Sequence, residues 1–131
     1  MKIAIYFTLL LSFTFNACLA QNKITGAVTV TANEFESKLH QTKGQLIDVR
    51  TPFEYKNHNH LKGAKNVDFN SDDFLKTMSA TVDKNKPVFV YCASGGRSGE
   101  ALKMLSESGF KEVYNLKDGI NGWKKAGKSV E

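Results

Sequence analysis

The sequence predicts an α/β fold: a central, mainly parallel five-stranded sheet with helices on both faces. Three observations predict it. Five short apolar runs alternate with helix-period segments from about residue 28 onward, the pattern of repeated β–α units. The clearest run, Val88-Phe89-Val90-Tyr91, is β-branched and aromatic throughout, as a strand covered on both faces should be. The length of 131 residues, 41% hydrophobic and 24% charged, suits one compact domain, whose core needs neither a disulfide nor a structural metal.

Taken in order, the first segment is not part of that fold. Met1-Lys2 is a short basic start, Ile3 to Phe15 is an almost unbroken apolar run, and Ala17, Cys18 and Ala20 are small. Charge, apolar core and small residues describe a secretory signal peptide over residues 1–20. The run falls short of the ~20 residues that span a bilayer, which weighs against a retained anchor. Two processing schemes fit. Cleavage after Ala20 leaves a soluble protein beginning at Gln21. Cleavage before Cys18 resembles a bacterial lipoprotein with an acylated cysteine, although Phe15-Asn16-Ala17-Cys18 departs from the usual lipobox. Both schemes export the domain to the periplasm or cell envelope, and membrane attachment would run only through lipid on Cys18. Both leave Cys92 as the one free thiol of the mature chain. An unpaired cysteine in an oxidising compartment is a liability unless it is used.

The domain is expected over residues 28–127. Val28-Thr29-Val30 reads as a strand, and Thr31 to Glu34 has capping-box spacing for a helix carrying Phe35 and Leu39, ended by Gly44. Leu46 to Val49 reads as a buried strand closed by Thr51-Pro52, with a short helix over Phe53 to Asn57. Ala64 to Phe69 is a brief strand, and Ser71-Asp72-Asp73 caps a helix holding Phe74, Leu75 and Met78. After the Val88 strand, a helix from about Ser98 to Ser108 ends at Gly109. Val113 to Leu116 is the last strand, and Ile120 to Ala126 the last helix. Phe110 and Trp123 read as core.

The net charge is +5, from 18 basic and 13 acidic residues, with lysines scattered and no basic block. That is a solvated surface with a mild pull on anions, and no nucleic-acid partner is expected. His58 and His60 stand two apart without a third ligand in view, so a structural role is expected and no metal.

The segment with chemistry is Tyr91 to Ser98. In parallel α/β folds ligands sit beyond the carboxyl ends of the strands, and Cys92 is the first residue there. Sulfur chemistry needs a thiolate, whereas a free thiol is mostly protonated at neutral pH. Gly95 and Gly96 can take positive φ and turn successive amides inward as an anion nest, the following helix points its positive end at the same spot, and Arg97 adds a permanent charge. The bland reading is an inert cysteine packed as a small hydrophobe before a glycine turn.

Cys92-Ala93-Ser94-Gly95-Gly96-Arg97-Ser98 resembles the active-site loop of the rhodanese family, C-x-x-G-x-R-S, with every fixed position filled. Asp48-Val49-Arg50-Thr51-Pro52-Phe53-Glu54-Tyr55, the stretch from His60 to Val67, and Leu116 to Trp123 resemble further signatures of the same family. Three departures stand out: Asn59 replaces a family glycine, the stretch Lys56 to Asn59 is one residue longer, and Asp118 replaces the first glycine of the closing motif. Asn59 is expected to tolerate the left-handed conformation that the glycine would use. Related phosphatases and arsenate reductases carry the wider C-x5-R loop, so the C-x4-R spacing here favours sulfur over phosphoryl transfer.

The resemblance implies a sulfurtransferase in which Cys92 becomes a persulfide held by the backbone amides from Ala93 through Arg97. The donor would be a small sulfur-containing anion such as thiosulfate, the acceptor cyanide, a small thiol or a protein thiol, and no cofactor is implied. The alternative is a sulfur-carrier or binding module with little turnover of its own. Arg50 is expected to brace the loop or pair with Glu54, and Asp48 to orient Arg97 or other loop groups, or simply to stabilise a turn.

Overall fold

In the computed structural model, which describes residues 26–131, strands and helices alternate as the sequence predicts. They are β1 (Gly26–Val30), α1 (Ala32–Thr42), β2 (Gln45–Asp48), α2 (Pro52–Asn57), β3 (Lys65–Asn66), α3 (Phe74–Thr81), β4 (Val88–Tyr91), α4 (Gly96–Glu107), β5 (Glu112–Leu116) and α5 (Gly119–Lys125). The strands form one sheet in the order β1-β5-β4-β2-β3, and every neighbouring pair is parallel. The expected leader, with Cys18, lies outside the described residues. Among the described residues no helix is long and apolar enough to cross a membrane.

The central strand explains the two-faced packing. Successive side chains of a strand point to opposite faces. Val88 and Val90 therefore pack with Phe74 and Met78 of α3 and Ala101 and Leu105 of α4. Phe89 and Tyr91 face the other way, onto Phe35 of α1 and Ile120 and Trp123 of α5. All four β4 side chains are fully buried. Burying a side chain such as Phe35 or Phe89 is worth about 1.5–3 kcal/mol. Phe110 and Trp123 lie in the core as expected.

Local differences from the expected pattern have physical reasons. The left-handed residue that ends α1 is Lys43, at φ 50, not Gly44. Gly44 is there for space: a methyl group on it would stand 2.2 Å from the Phe89 ring. Of the expected strand Ala64 to Phe69 only Lys65–Asn66 pairs in the ladder. The amides of Val67 and Phe69 still donate to the carbonyls of Asp48 and Val49 at 3.0 Å, so the chain continues alongside β2. Asp73 occupies the α3 cap position but makes no capping bond there; it accepts from the Ser71 hydroxyl instead. Helix α4 begins two residues earlier than expected, which bears directly on the site.

Candidate active site around Cys92

Strand β4 delivers Cys92 to the carboxyl edge of the sheet, and the next three residues turn the chain into α4. Gly95 makes that turn at φ 99, a conformation that suits glycine and strains other residues. Gly96 does not share it; of the two loop glycines, only Gly95 takes positive φ. The turn aims the Gly95 amide at the Cys92 sulfur, to which it donates at 3.1 Å. From one turn into α4, the buried Ser98 hydroxyl donates to the same sulfur at 3.3 Å.

Helix α4 has no side-chain N-cap, so its first amides are open to an anion. Burial pushes the Cys92 thiol up, but the Ser98 hydroxyl and the amides of Ser98, Gly95 and Ser94 outweigh it. The net result is a thiol below its ordinary range. Of the loop amides from Ala93 through Arg97, that of Gly95 bonds the resting sulfur directly, and the Ser98 hydroxyl joins it. Cys92 is only 1% exposed and packs on hydrocarbon beneath, including Val90 and Ala101, while its polar side meets donors.

A second element holds the loop from behind. The amides of Ile120 and Asn121, at the start of α5, donate to the carbonyls of Cys92 and Ala93 at 2.9 and 3.0 Å. Gly119 allows the approach: at φ 57, a methyl on it would lie 2.5 Å from the Ala93 carbonyl. Sequence reasoning missed this support. Its signal was the motif from Leu116 to Trp123, whose Gly119 is a close-packing requirement of the Cys92 loop.

The two arginines exchange their expected partners. The Arg97 guanidinium grips the Glu54 carboxylate through two bonds of 2.7 and 2.8 Å. That grip holds the Glu54 carboxyl at about 2, against burial and with help from Thr51. Arg50 pairs not with Glu54 but with the fully buried Asp48, at 2.7–3.0 Å, and donates to the Asn59 carbonyl at 2.9 Å. Asp48 therefore does not orient Arg97. Its Oδ1 also accepts from the Arg50 amide at 2.9 Å, the turn-stabilising alternative. This buried pair ties the end of β2 to the segment after α2 and makes no bond to Cys92. Asn59 is not left-handed, so that tolerance goes unused; its service is that carbonyl.

His60 stacks on Tyr55 at 4.2 Å and His58 meets the edge of Phe53, so both are packed against rings. Among the described residues no group of three or more His, Cys, Asp or Glu side chains is placed to hold a metal.

Fold and loop together define a class: a parallel α/β domain that sets a buried cysteine at the carboxyl edge of its sheet, where a loop amide and a helix hydroxyl donate to the sulfur. Residues 31–126 match the Rhodanese-like domain, and the chain belongs to that family. It is 39% identical over 95 residues to the uncharacterized protein YqhL of Bacillus subtilis, covering 72% of this chain and 71% of that protein. It is 43% identical over 75 residues to the thiosulfate sulfurtransferase PspE of Escherichia coli, covering 55% of this chain and 70% of that one. A rhodanese-like domain protein of Staphylococcus aureus has a similar structure, with a TM-score of 0.64 at 27% identity over 79% of this chain and 95% of its own.

Proposed function

We propose that the protein is a sulfurtransferase that moves a sulfane sulfur through a persulfide on Cys92. The observation that carries the reading is the pair of donors, Gly95 amide and Ser98 hydroxyl, on a buried thiol held below its ordinary range. In the first step the Cys92 thiolate attacks the sulfane sulfur of a donor such as thiosulfate. The donor's S–S bond breaks and its electron pair leaves with sulfite. The terminal sulfur of the resulting persulfide is anionic, and the loop amides with the positive end of α4 stabilise it. In the second step cyanide or a thiol attacks that sulfur and Cys92 returns as a thiolate, which makes the cycle ping-pong covalent catalysis. Thiosulfate is favoured as donor by the similarity to the Escherichia coli sulfurtransferase.

Intact mass tests the covalent step. Thiosulfate should add one sulfur atom, ~32 Da, to the protein and nothing to Cys92→Ser. An unmodified wild-type mass would overturn the proposal.

A carrier with little turnover is the second reading. It is favoured by one observation: the loop's only guanidinium is committed to Glu54, so no free cation of the loop faces a dianionic donor. A thiosulfate:cyanide assay separates the two, since a carrier forms the adduct yet turns over at the rate of Cys92→Ser. The proposed site of action is the periplasm or cell envelope, on the strength of the leader sequence; the mature N-terminus, Gln21 or acylated Cys18, is read by mass from membrane and soluble fractions.

A further inference from the structure

Beside the Cys92 loop the surface is indented by a cleft of about 390 Å³, lined by Ser94, Asp118, Asn121, Gly122 and Lys125. Positions 118, 121, 122 and 125 recur at helical spacing and form one face of α5 with its entry turn. Ser94 belongs to the reactive loop two residues after the nucleophile, so its Cα lies within about 7 Å of that of Cys92.

The cleft's shape is set by backbone. Gly122 leaves room for Asp118, because a methyl group on it would stand 2.6 Å from the Asp118 Cβ. Asp118 itself sits at φ 61, and the turn of the reactive loop rests on it: a methyl on Gly95 would be 3.4 Å from the Asp118 amide nitrogen. The result is one carboxylate, one ammonium at Lys125 and two neutral polar side chains, Ser94 and Asn121, on the rim of the persulfide loop. The thiolate chemistry uses none of these side chains.

Resting on the sulfurtransferase reading above, we propose that this cleft is the acceptor subsite and takes a thiol bearing both an ammonium and a carboxylate, such as a short cysteine peptide. Asp118 would receive the ammonium or an amide N–H, and Lys125 the carboxylate. Cyanide and uncharged thiols offer neither group. An extended tripeptide spans about 10 Å, enough for its sulfur to reach the loop while its ends lie in the cleft. The acceptor thiol gives its proton to solvent, and its thiolate attacks the outer sulfur of the Cys92 persulfide. The S–S bond to Cys92 breaks, its electron pair returns to Cys92, and the acceptor leaves as its own persulfide, with no external oxidant or reductant.

Two measurements test this. S-methylglutathione, which cannot react, is titrated into the protein and followed by amide NMR shifts. The expected perturbations centre on Ser94, Asp118, Asn121 and Gly122, with Kd weakened about tenfold in Lys125→Gln and in Asp118→Asn, the size of one charge-assisted contact. Shifts elsewhere, or none, or an unaltered Kd in both variants, overturn the subsite. In the second measurement the persulfide-loaded protein is discharged by glutathione and by cyanide, and the ratio of the two rates should fall about tenfold in either variant. An unchanged ratio overturns the subsite. If no persulfide forms at all, the sulfurtransferase reading falls, and the binding titration still decides whether the cleft takes the peptide. Lys125 is exposed, so its variant does not depend on the core.

Discussion

Helices α1 and α2 begin alike, and α4 begins differently. At the start of α1 the Thr31 hydroxyl accepts from the Glu34 amide while Glu34 reaches back to the Thr31 amide; Thr51 and Glu54 do the same for α2. Each box satisfies the donors that a helix end leaves free. At α4 the cap position is Gly95, which has no side chain to offer, and the donors turn to the sulfur of Cys92 instead. The contrast teaches where this chain puts its electrostatics. At α1 and α2 the helix's own side chains close its start, and at α4, which begins beside Cys92, the start stays open.

The largest way to break that contrast is to remove the anion that the open end serves. Cys92→Ser should lose all turnover with thiosulfate and cyanide and all thiosulfate-dependent mass gain.

Next comes Ser98→Ala, which deletes a donor to sulfur within a buried site. The thiolate midpoint should rise, because a hydrogen bond that lowers it is gone. At a pH below both midpoints the iodoacetamide reaction should slow about tenfold per unit of that rise, as the thiolate fraction falls. A pH profile of alkylation checks the sign: the wild-type midpoint lies below the ordinary thiol range and the variant's moves toward it. Coincident profiles would show that the hydroxyl does not tune the sulfur.

Glu54→Gln sharpens the comparison through pH. Glu54 closes α2 and grips Arg97, and its folded carboxyl sits at about 2. A depressed carboxyl stabilises the fold above the unfolded carboxyl range, and that contribution disappears as pH falls through the folded value. Denaturant melts between pH 5 and 2 should therefore show a shallower loss of stability in the variant than in the wild type.

The smallest effect belongs to the ordinary helix start. Thr31→Ala should cost about 1 kcal/mol of stability in urea unfolding. Turnover should stay at the wild-type value, because Thr31 touches nothing in the Cys92 loop.

What the sequence disclosed follows the same division. The strands around the site were legible because runs of β-branched and aromatic residues such as Val88 to Tyr91 have few other uses, and the Thr31 box because its spacing is local. The thiol's place at the end of β4 was legible for the same reason. The partners of the arginines were not. Spacing put Arg50 four residues from Glu54, but Glu54 folds back onto Thr51 to close α2 and from there faces Arg97, 43 positions away in sequence. The Arg50 guanidinium turns instead to Asp48, two residues before it, and their side-chain directions are not written in the spacing. The support from Ile120 and Asn121 was hidden more deeply: the motif from Leu116 to Trp123 marks the segment, but nothing in it names the loop at 92 as its partner.

That last bond sets a timetable. Synthesis makes Cys92 well before it makes the amides of Ile120 and Asn121 that hold its loop from behind, and β1 waits longer still for β5, its partner in the sheet. Until the final segment arrives, the loop at residue 92 lacks the two bonds that hold it from behind. The last helix to be made thus completes the setting of a cysteine translated well before it.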